Sequence, residues 1–490
     1  MSRTRLPVLC ALALAAAQLA RFASPDHAVD DAWISFRVAR NLVEHGALTY
    51  NLDAPPVEGM TNLLWTLLSA LWVWLPVDPL LPARAVGAAL HLGAVGLLAH
   101  VAGEEAGERA AWGAGLLSAA TGSTAFYAMS GLETPLYTFL FVLALARLQA
   151  GARVSAGLAL GALAMTRPEG VMTGGLLIGL LALADRRAAL AVGLPFAGLV
   201  GGTELFRLAY YGAWIPNTFH AKAPQVAGGL DYLGRELLLG LGLVGPLVLV
   251  PLRRDRRALG LALVAAAGLA GAVATGGDWM PGLRRGGLEL LILDLLAGVA
   301  LARAAGAGRA WAVAGALAML LGSAGAALSG RDGAAFADQG LAQLGLAAQR
   351  TPGVRAVALV DIGRFGWAFQ GHVVDLVGLT DPHLAALPGG HANKPWDEDW
   401  FRAQGADLLI VRSETPITDP LPGPPRLGQP EIGLVQSVLA RGGYRMHAAW
   451  EAAPERWMIL FRRDGLRLPP ELWGPEAGKD LRQLLSEAAP

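Results

Sequence analysis

The strongest constraint on this chain is a succession of apolar runs separated by short polar loops. The runs fall near 6–22, 62–76, 84–102, 111–129, 134–150, 154–166, 170–184, 189–210, 233–252, 258–275, 287–304 and 309–329. Several approach the ~20 residues a helix needs to cross a bilayer. Inside hydrocarbon every backbone N–H and C=O must be satisfied within the protein, so runs of this kind fold as helices. Of the 490 residues, 54% are hydrophobic and only 16% charged, which is too little charge for an ordinary globular chain. The sequence therefore reads as an α-helical polytopic membrane protein.

The remaining composition narrows the class. Net charge is zero, and no basic tract suits nucleic acid. Cys10 is the sole cysteine, so an internal disulfide and a cysteine metal cluster are excluded. Leu9 before Cys10 makes a poor lipobox, and Cys10 reads as a small core residue. Residues 1–24 carry the basic start and apolar core of a signal peptide, but the many later runs favour a retained first helix. Among 39 basic residues only Lys222, Lys394 and Lys479 are lysines. With the Ala, Gly, Leu and Pro bias, this points to a GC-rich bacterial genome; for a polytopic chain from such a source the expected location is the inner (plasma) membrane.

From about residue 330 the character changes. Short β-type runs appear, "VRAVALVDIG", "HVVDLVGLTD", "ADLLIVRS" and "RWMILFRRD", with one helical stretch, "EIGLVQSVLARGG". Strands mixed with a helix predict a small α/β domain outside the bilayer. The expected division is a membrane domain at 1–329 and an extracytoplasmic domain at 330–490.

Basic residues in short loops favour the cytoplasm. "MSRTR", Arg147 with Arg153, "DRR" at 185–187, "RRDRR" at 253–257, and Arg303 with Arg309 are placed inside. The alternate loops, "SGLETP", "TRPEG", "YYGAWIPNTFHAKAP" and "GGDWMPGLRR", then lie outside with the C-terminal domain. Twelve crossings would contradict that parity. The run at 62–76, about fifteen residues, is short for a crossing, so it is expected to dip into or lie along the outer leaflet, leaving about eleven crossings. The first outer loop, 26–61, then shares a face with the other polar loops.

That loop contains "DDAWISFRVARNLVEHG", expected as a helix over 30–46 lying in the interface. Asp30, Ile34, Arg37, Asn41 and Glu44 fall on one side of it. Adjacent residues diverge by about 100° on a helix, so Asp30 and Asp31 cannot both face a reacting centre. Asp30 as N-cap, Asp31 at the helix N-terminus and Gly46 as the stop is the plain structural alternative. Glu58 and Asn62 open the short dipping run. Glu133 stands at the mouth of a run, and Arg167 and Glu169 could simply pair. Asn217, His220 and Lys222 place two potential cations near the membrane surface. Asp278 precedes Arg284 and Arg285, and arginine suits bidentate phosphate binding; an Arg285–Glu289 pair at i,i+4 is the alternative. Asp294 sits deep in a run, where an acid is a functional candidate by default. His91 and His100 read as packed helix residues. The loop residues, with Arg40, form a donor- and substrate-binding set for an anionic, lipid-borne substrate.

Taken together, "DDAWISFRVARNLVEHGALTYN", "VEGMTNLLWTLL", "SGLETPLY", "TRPEG", "YYGAWIPNTFHAK", "GGDWMP" and "VVDLVGLTDPHLA" resemble the mycobacterial terminal arabinofuranosyltransferase family, within the GT-C membrane glycosyltransferases. Proteins described as flagellar motor-control factors resemble the same group. The resemblance runs from about 30 to 410. It implies a GT-C helix bundle, a periplasmic active site and a C-terminal periplasmic domain. It also implies a polyprenyl-phosphate sugar donor, decaprenyl-phospho-arabinofuranose in the mycobacterial members, and an essential acid in the first outer loop, matching Asp30. After "GGDWMPG" this chain reads "LRRGGLELLILDLL", more polar than the family's pattern, which leaves the corresponding arginine open.

The implied reaction is sugar transfer from a polyprenyl phosphate to a cell-envelope glycan acceptor. Lys222, His220 and Arg284 or Arg285 would hold the phosphate, and Asp30 or Asp31 would take the acceptor's proton. Glu58, Glu133 and Asp278 could bind sugar hydroxyls or a divalent metal, although no spacing singles out a metal site. The C-terminal domain, with His372, Asp375, Asp381 and His391, could position an acceptor. Two other readings stand beside this one: a proton-coupled transporter using Asp294, and a non-catalytic envelope or motility assembly factor.

Overall fold

The structure is a computed structural model, described here for residues 4–24, 28–221, 226–236, 245–278, 280, 284–334, 340–390, 393–413, 429–453, 456–469 and 473. The chain divides into two compact units. One comprises Met1–Val29, Thr61–Gly212 and Pro224–Ala335; the other comprises Asp30–Met60, Ala213–Ala223 and Phe336–Pro490. The sequence expectation of a break near 330 thus meets a division in which the first outer loop and the 213–223 loop belong with the C-terminal residues.

The first unit is helical. Leu80–Ala106, Arg186–Tyr211 and Arg256–Ala274 are each long and apolar enough to cross a membrane, and Thr134–Gln149, Arg153–Thr166, Glu169–Ala184 and Ala307–Leu321 are shorter apolar helices. At its centre lies Gly287–Arg303, every residue of which is buried from Gly287 to Ala300. Small residues let it reach its neighbour: a side chain at Gly298 would run into the backbone of Ala110 and Ala114 on the helix Glu108–Ala120. This is the close backbone approach typical of membrane helix pairs.

Several expected runs fold differently. The run at 111–129 breaks at Thr121, whose extended backbone (ψ 94°) separates Glu108–Ala120 from Gly122–Ala128. The run at 62–76 yields only the seven-residue helix Leu63–Ser69, about 10 Å long and far short of a crossing. Within 233–252, residues 233–236 belong to the helix Val226–Glu236 and a 3-10 helix occupies Gly245–Leu252.

The second unit is built on a five-stranded sheet of β1 (Ala356–Leu359), β2 (His372–Asp375), β3 (Leu408–Ser413), β4 (Tyr444–Ala453) and β5 (Arg456–Arg463), in the order β2-β1-β3-β5-β4. β1 pairs in parallel with β2 and β3, while β5 runs antiparallel to β3 and β4. Phe401, Leu409, Val411, Leu434 and Ile459 form its core, with the helices Glu398–Gln404 and Gln429–Arg441 supplying Phe401 and Leu434. Four strands and the long helix answer to the expected runs. β4 was not expected: it is an edge strand with a weak apolar pattern and two register irregularities.

The helix Asp31–His45 also belongs to this unit. It ends at Gly46 in the left-handed region (φ 67°), as the sequence predicts. Residues 32–41 are all buried, because both its polar and apolar sides are covered by protein, chiefly by the helix Ile362–Ala368.

Candidate functional site

In the helical unit, the acids and arginines of the loops at 130–135, 166–170 and 276–285 meet in one buried network. Pro168 explains one turn: the residue before a proline is pushed out of the helical region, and Arg167 is accordingly extended (φ −152°, ψ 139°). Glu169 then begins the next helix, where the N-terminal dipole favours an acid. Glu133 occupies the N-cap position of Thr134–Gln149.

Arg167 donates from Nη1 to Glu133 Oε1 at 2.6 Å and from Nη2 to Glu169 Oε1 at 3.2 Å. Arg285 reaches the same Glu169 oxygen at 2.9 Å and donates to Thr275 Oγ1 and the Gly277 carbonyl. Arg284 grips Asp278 through two bonds of 2.7 and 3.2 Å. Asn62 Nδ2 donates to the other Glu133 oxygen at 3.1 Å and accepts from Thr66. The side chains of Arg167 and Glu133 are 11% and 6% exposed, those of Arg284 and Asp278 10% and 3%. Charges this dry persist only when paired and hydrogen-bonded. The Arg167–Glu169 pair foreseen in the sequence exists within this larger cluster. Arg285 bonds Glu169 instead of Glu289.

Arg167, Arg284 and Arg285 line a small enclosed recess with Thr134, Tyr137, Glu169 and Glu289. Glu289 is buried, and its Oε2 has no hydrogen-bond partner among the described residues. Asp294, further along the same helix, accepts one bond from Thr121 Oγ1 at 3.3 Å.

The other candidates lie in the second unit, where the structure uses most of them to hold that unit together. Asp30 does not cap its own helix. Its two oxygens accept the N–H groups of Gly363 and Arg364, each at 2.7 Å, at the start of Ile362–Ala368. Burial, with Asp361 and Asp31 nearby, pushes its carboxyl up to about 8, against the pull of those N–H groups. Arg37 spends all five of its N–H donors: on the carbonyls of Tyr50, Gly366, Phe369 and Gly371 and on Asn51 Oδ1. Burial lowers its basicity. Arg40 donates to the Trp367 carbonyl and lies 4.2 Å over that ring. Asn41 donates to the carbonyls of Thr49 and Tyr50.

Asn217 donates its side-chain amide to the carbonyls of Gly378 and Leu379, and its backbone N–H to that of Glu58. The Glu58 side chain is buried, Asp31 is half-buried and His220 is exposed. Lys222 and His391 lie outside the described residues. His372 pairs with Asp53, Asp375 accepts from Val377, Gly378 and Thr380, and Asp381 caps a short helix.

Sequence reasoning passed over Tyr50 and Asn51, which complete the Arg37 clamp. Tyr50 donates to the Ile362 carbonyl. Asn51 bonds both backbone groups of Val373, docking the first loop on β2. Their only sequence signal is position, just after the Gly46 stop. Among the described residues no three His, Cys, Asp or Glu side chains are grouped to hold a metal ion.

Residues 334–466 match a family described as Domain of unknown function (DUF8728). No curated protein matches the sequence. Solved structures similar to this one include ArnT from Cupriavidus metallidurans bound to undecaprenyl phosphate, at 16% identity and a TM-score of 0.55, over 95% of this chain and 98% of that one. The apo state of the same protein gives 15% identity and a TM-score of 0.58, over 94% and 99%. The oligosaccharyltransferase AglB from Archaeoglobus fulgidus, in complex with an inhibitory peptide and a dolichol-phosphate, gives 12% identity and a TM-score of 0.54, over 82% and 69%. The chain shares the overall fold of these proteins; its own two units are a helical one with apolar helices long enough to cross a membrane and one built on a five-stranded sheet.

Proposed function

We propose that this protein is a membrane glycosyltransferase that moves a sugar from a polyprenyl-phosphate carrier to an acceptor on the outer face of a bacterial inner membrane. The observation that carries the reading is the buried cluster of Arg167, Arg284 and Arg285 with Glu133, Glu169 and Asp278. Guanidinium groups held rigid in a dry site stabilise charge far better than groups free in water. The likeness to ArnT and AglB structures that contain lipid phosphates supports the same reading.

In the reaction, the bond between the sugar's anomeric carbon and the phosphate oxygen breaks, and the electron pair leaves with the lipid phosphate. We assign the uptake of that developing charge to Arg284 and Arg285, and to His220 and Lys222, which the motif resemblance adds to them. The acceptor hydroxyl oxygen bonds to the anomeric carbon and loses its proton to a carboxylate. We assign that role to Asp31. Asp30, bonded to two backbone N–H groups, is the positioning residue beside it. The acids of the cluster are engaged with guanidinium groups. Arabinofuranose as the sugar and an envelope glycan as acceptor follow from the motif resemblance. About eleven crossings, with the loops at 130–135, 166–170 and 276–285 outside, follow from the basic residues of the alternate loops.

The test uses the purified full chain in nanodiscs with a panel of polyprenyl-phospho-sugars and measures release of the lipid phosphate. Turnover with one donor, abolished by Asp31→Asn and reduced by Arg285→Lys, is expected. No release from any donor with any glycan acceptor would overturn the reading.

A further inference from the structure

Two buried polar atoms are left without partners around one small space. Glu289 Oε2 and Thr134 Oγ1 make no hydrogen bond among the described residues, and both residues are only 4–5% exposed. Both line the enclosed recess beside Arg167, Arg284 and Arg285. An unsatisfied buried polar group costs roughly 1–3 kcal/mol, and such groups are rare in folded proteins. Two such groups, on residues that line one recess, point to a guest.

The fold also shapes the space. Glu289 is held against the helix Arg256–Ala274 at Gly268, where any side chain would run into its Oε1. Gly268 thus admits the carboxylate at the recess that both residues line. The chemistry of the two atoms defines what fits. Glu289 offers an acceptor, and Thr134 offers a donor or an acceptor. The recess has space for about one water-sized group, so the guest is a single hydroxyl: a water, or one hydroxyl of a ligand whose phosphate sits at the arginines.

We propose that Glu289 and Thr134 form a hydroxyl-reading subsite of the donor site, and that together they determine which sugar is accepted. This rests on the glycosyltransferase reading. It explains why the helix Gly287–Arg303 carries an acid at 289 that neither arginine beside it uses. A site built to bond a hydroxyl rejects the analogue lacking it, because its own buried groups then stay unpaired.

The experiment compares the accepted donor with analogues lacking one hydroxyl each, using the full chain and reading kcat/KM for each. The original chain should disfavour one deoxy donor by about 10- to 100-fold, the cost of leaving a buried polar partner unpaired. Glu289→Met and Thr134→Val should reduce that ratio to within about threefold, while the ratios for the other deoxy donors stay put. Gly268→Ala, which displaces the Glu289 carboxylate without removing it, should reduce the same ratio. Because each reading is a ratio within one variant, a general loss of folded protein does not imitate the result. An unchanged ratio in Glu289→Met and Thr134→Val would mean that the recess holds only water, and would overturn the proposal while leaving the transferase reading intact. No turnover with any donor in the original chain would remove both.

Discussion

Replacing Asp30 by asparagine separates two roles that a paired-acid motif confounds. Asp30 presents two acceptor oxygens to two backbone donors, Gly363 N–H and Arg364 N–H. Asparagine keeps one acceptor and turns an NH2 group towards the other donor. One buried N–H is then orphaned, at roughly 1–3 kcal/mol. The amides of 361–369 should therefore exchange with solvent roughly 5- to 150-fold faster, the same energy expressed as an opening equilibrium. Hydrogen exchange with mass spectrometry on the purified full chain reads this segment directly. Asp31→Asn should leave exchange there unchanged and abolish turnover. The pH dependence has a definite sign. The folded carboxyl of Asp30 is raised from 3.8 to about 8, so the folded state binds this proton more tightly than the unfolded one. The stabilisation this provides is complete below the unfolded value and is lost as pH rises through about 8. Asparagine has no such dependence, so the stability gap between the two proteins should narrow between pH 5 and pH 8. If Asp30→Asn abolishes turnover while the exchange of 361–369 is untouched, Asp30 acts at the reacting centre and the capping argument is wrong.

Three shorter expectations follow from the same contacts. Glu133→Gln leaves Arg167 partly uncompensated in a dry site and should cost about 3–5 kcal/mol by thermal or denaturant unfolding, with Glu133→Gln/Arg167→Gln recovering part of it. Arg37→Lys exchanges a five-donor fork for three donors on a point charge. At least two of the five contacts are then lost, and the mutant should unfold several degrees lower while the 361–371 amides lose protection. Asp294→Asn should leave lipid-phosphate release within about threefold, since its one partner among the described residues is a hydroxyl, as for a packed acid; abolished activity, or an abolished proton-coupled flux, would favour the transporter reading.

What the sequence made legible follows from the range of the forces involved. Apolar runs, the Gly46 stop and the loop at 166–170 are local, set by hydropathy and by backbone sterics, and they were readable. The break at Thr121 was not, because alanine and glycine on both sides give a hydropathy profile that runs through it. The cluster of Glu133, Arg167, Glu169, Asp278, Arg284 and Arg285 was visible as separate loops whose agreement in face could be argued, but not as pairings. The Arg285–Glu169 bond replaces the nearer Arg285–Glu289 choice that helical spacing suggested. Least legible was the Arg37 clamp. Its acceptors are mostly backbone carbonyls between 366 and 371, and a carbonyl leaves no mark in a sequence.

The same limit applies to the paired acids. A carboxylate at a helix start reads as a cap for that helix, and Asp30 is a cap, but for a helix more than three hundred residues away. That bond fixes the rotation of Asp31–His45 about its axis, together with the Arg37 clamp on the same helix. Successive residues diverge by about 100°, so anchoring Asp30 also sets the direction of Asp31. On this account the doublet needs both acids for different reasons: one orients the helix and the other is aimed by it. Asp30→Asn should then lower turnover partially, in proportion to the loss of protection at 361–369, and Asp31→Asn should lower it without any such loss.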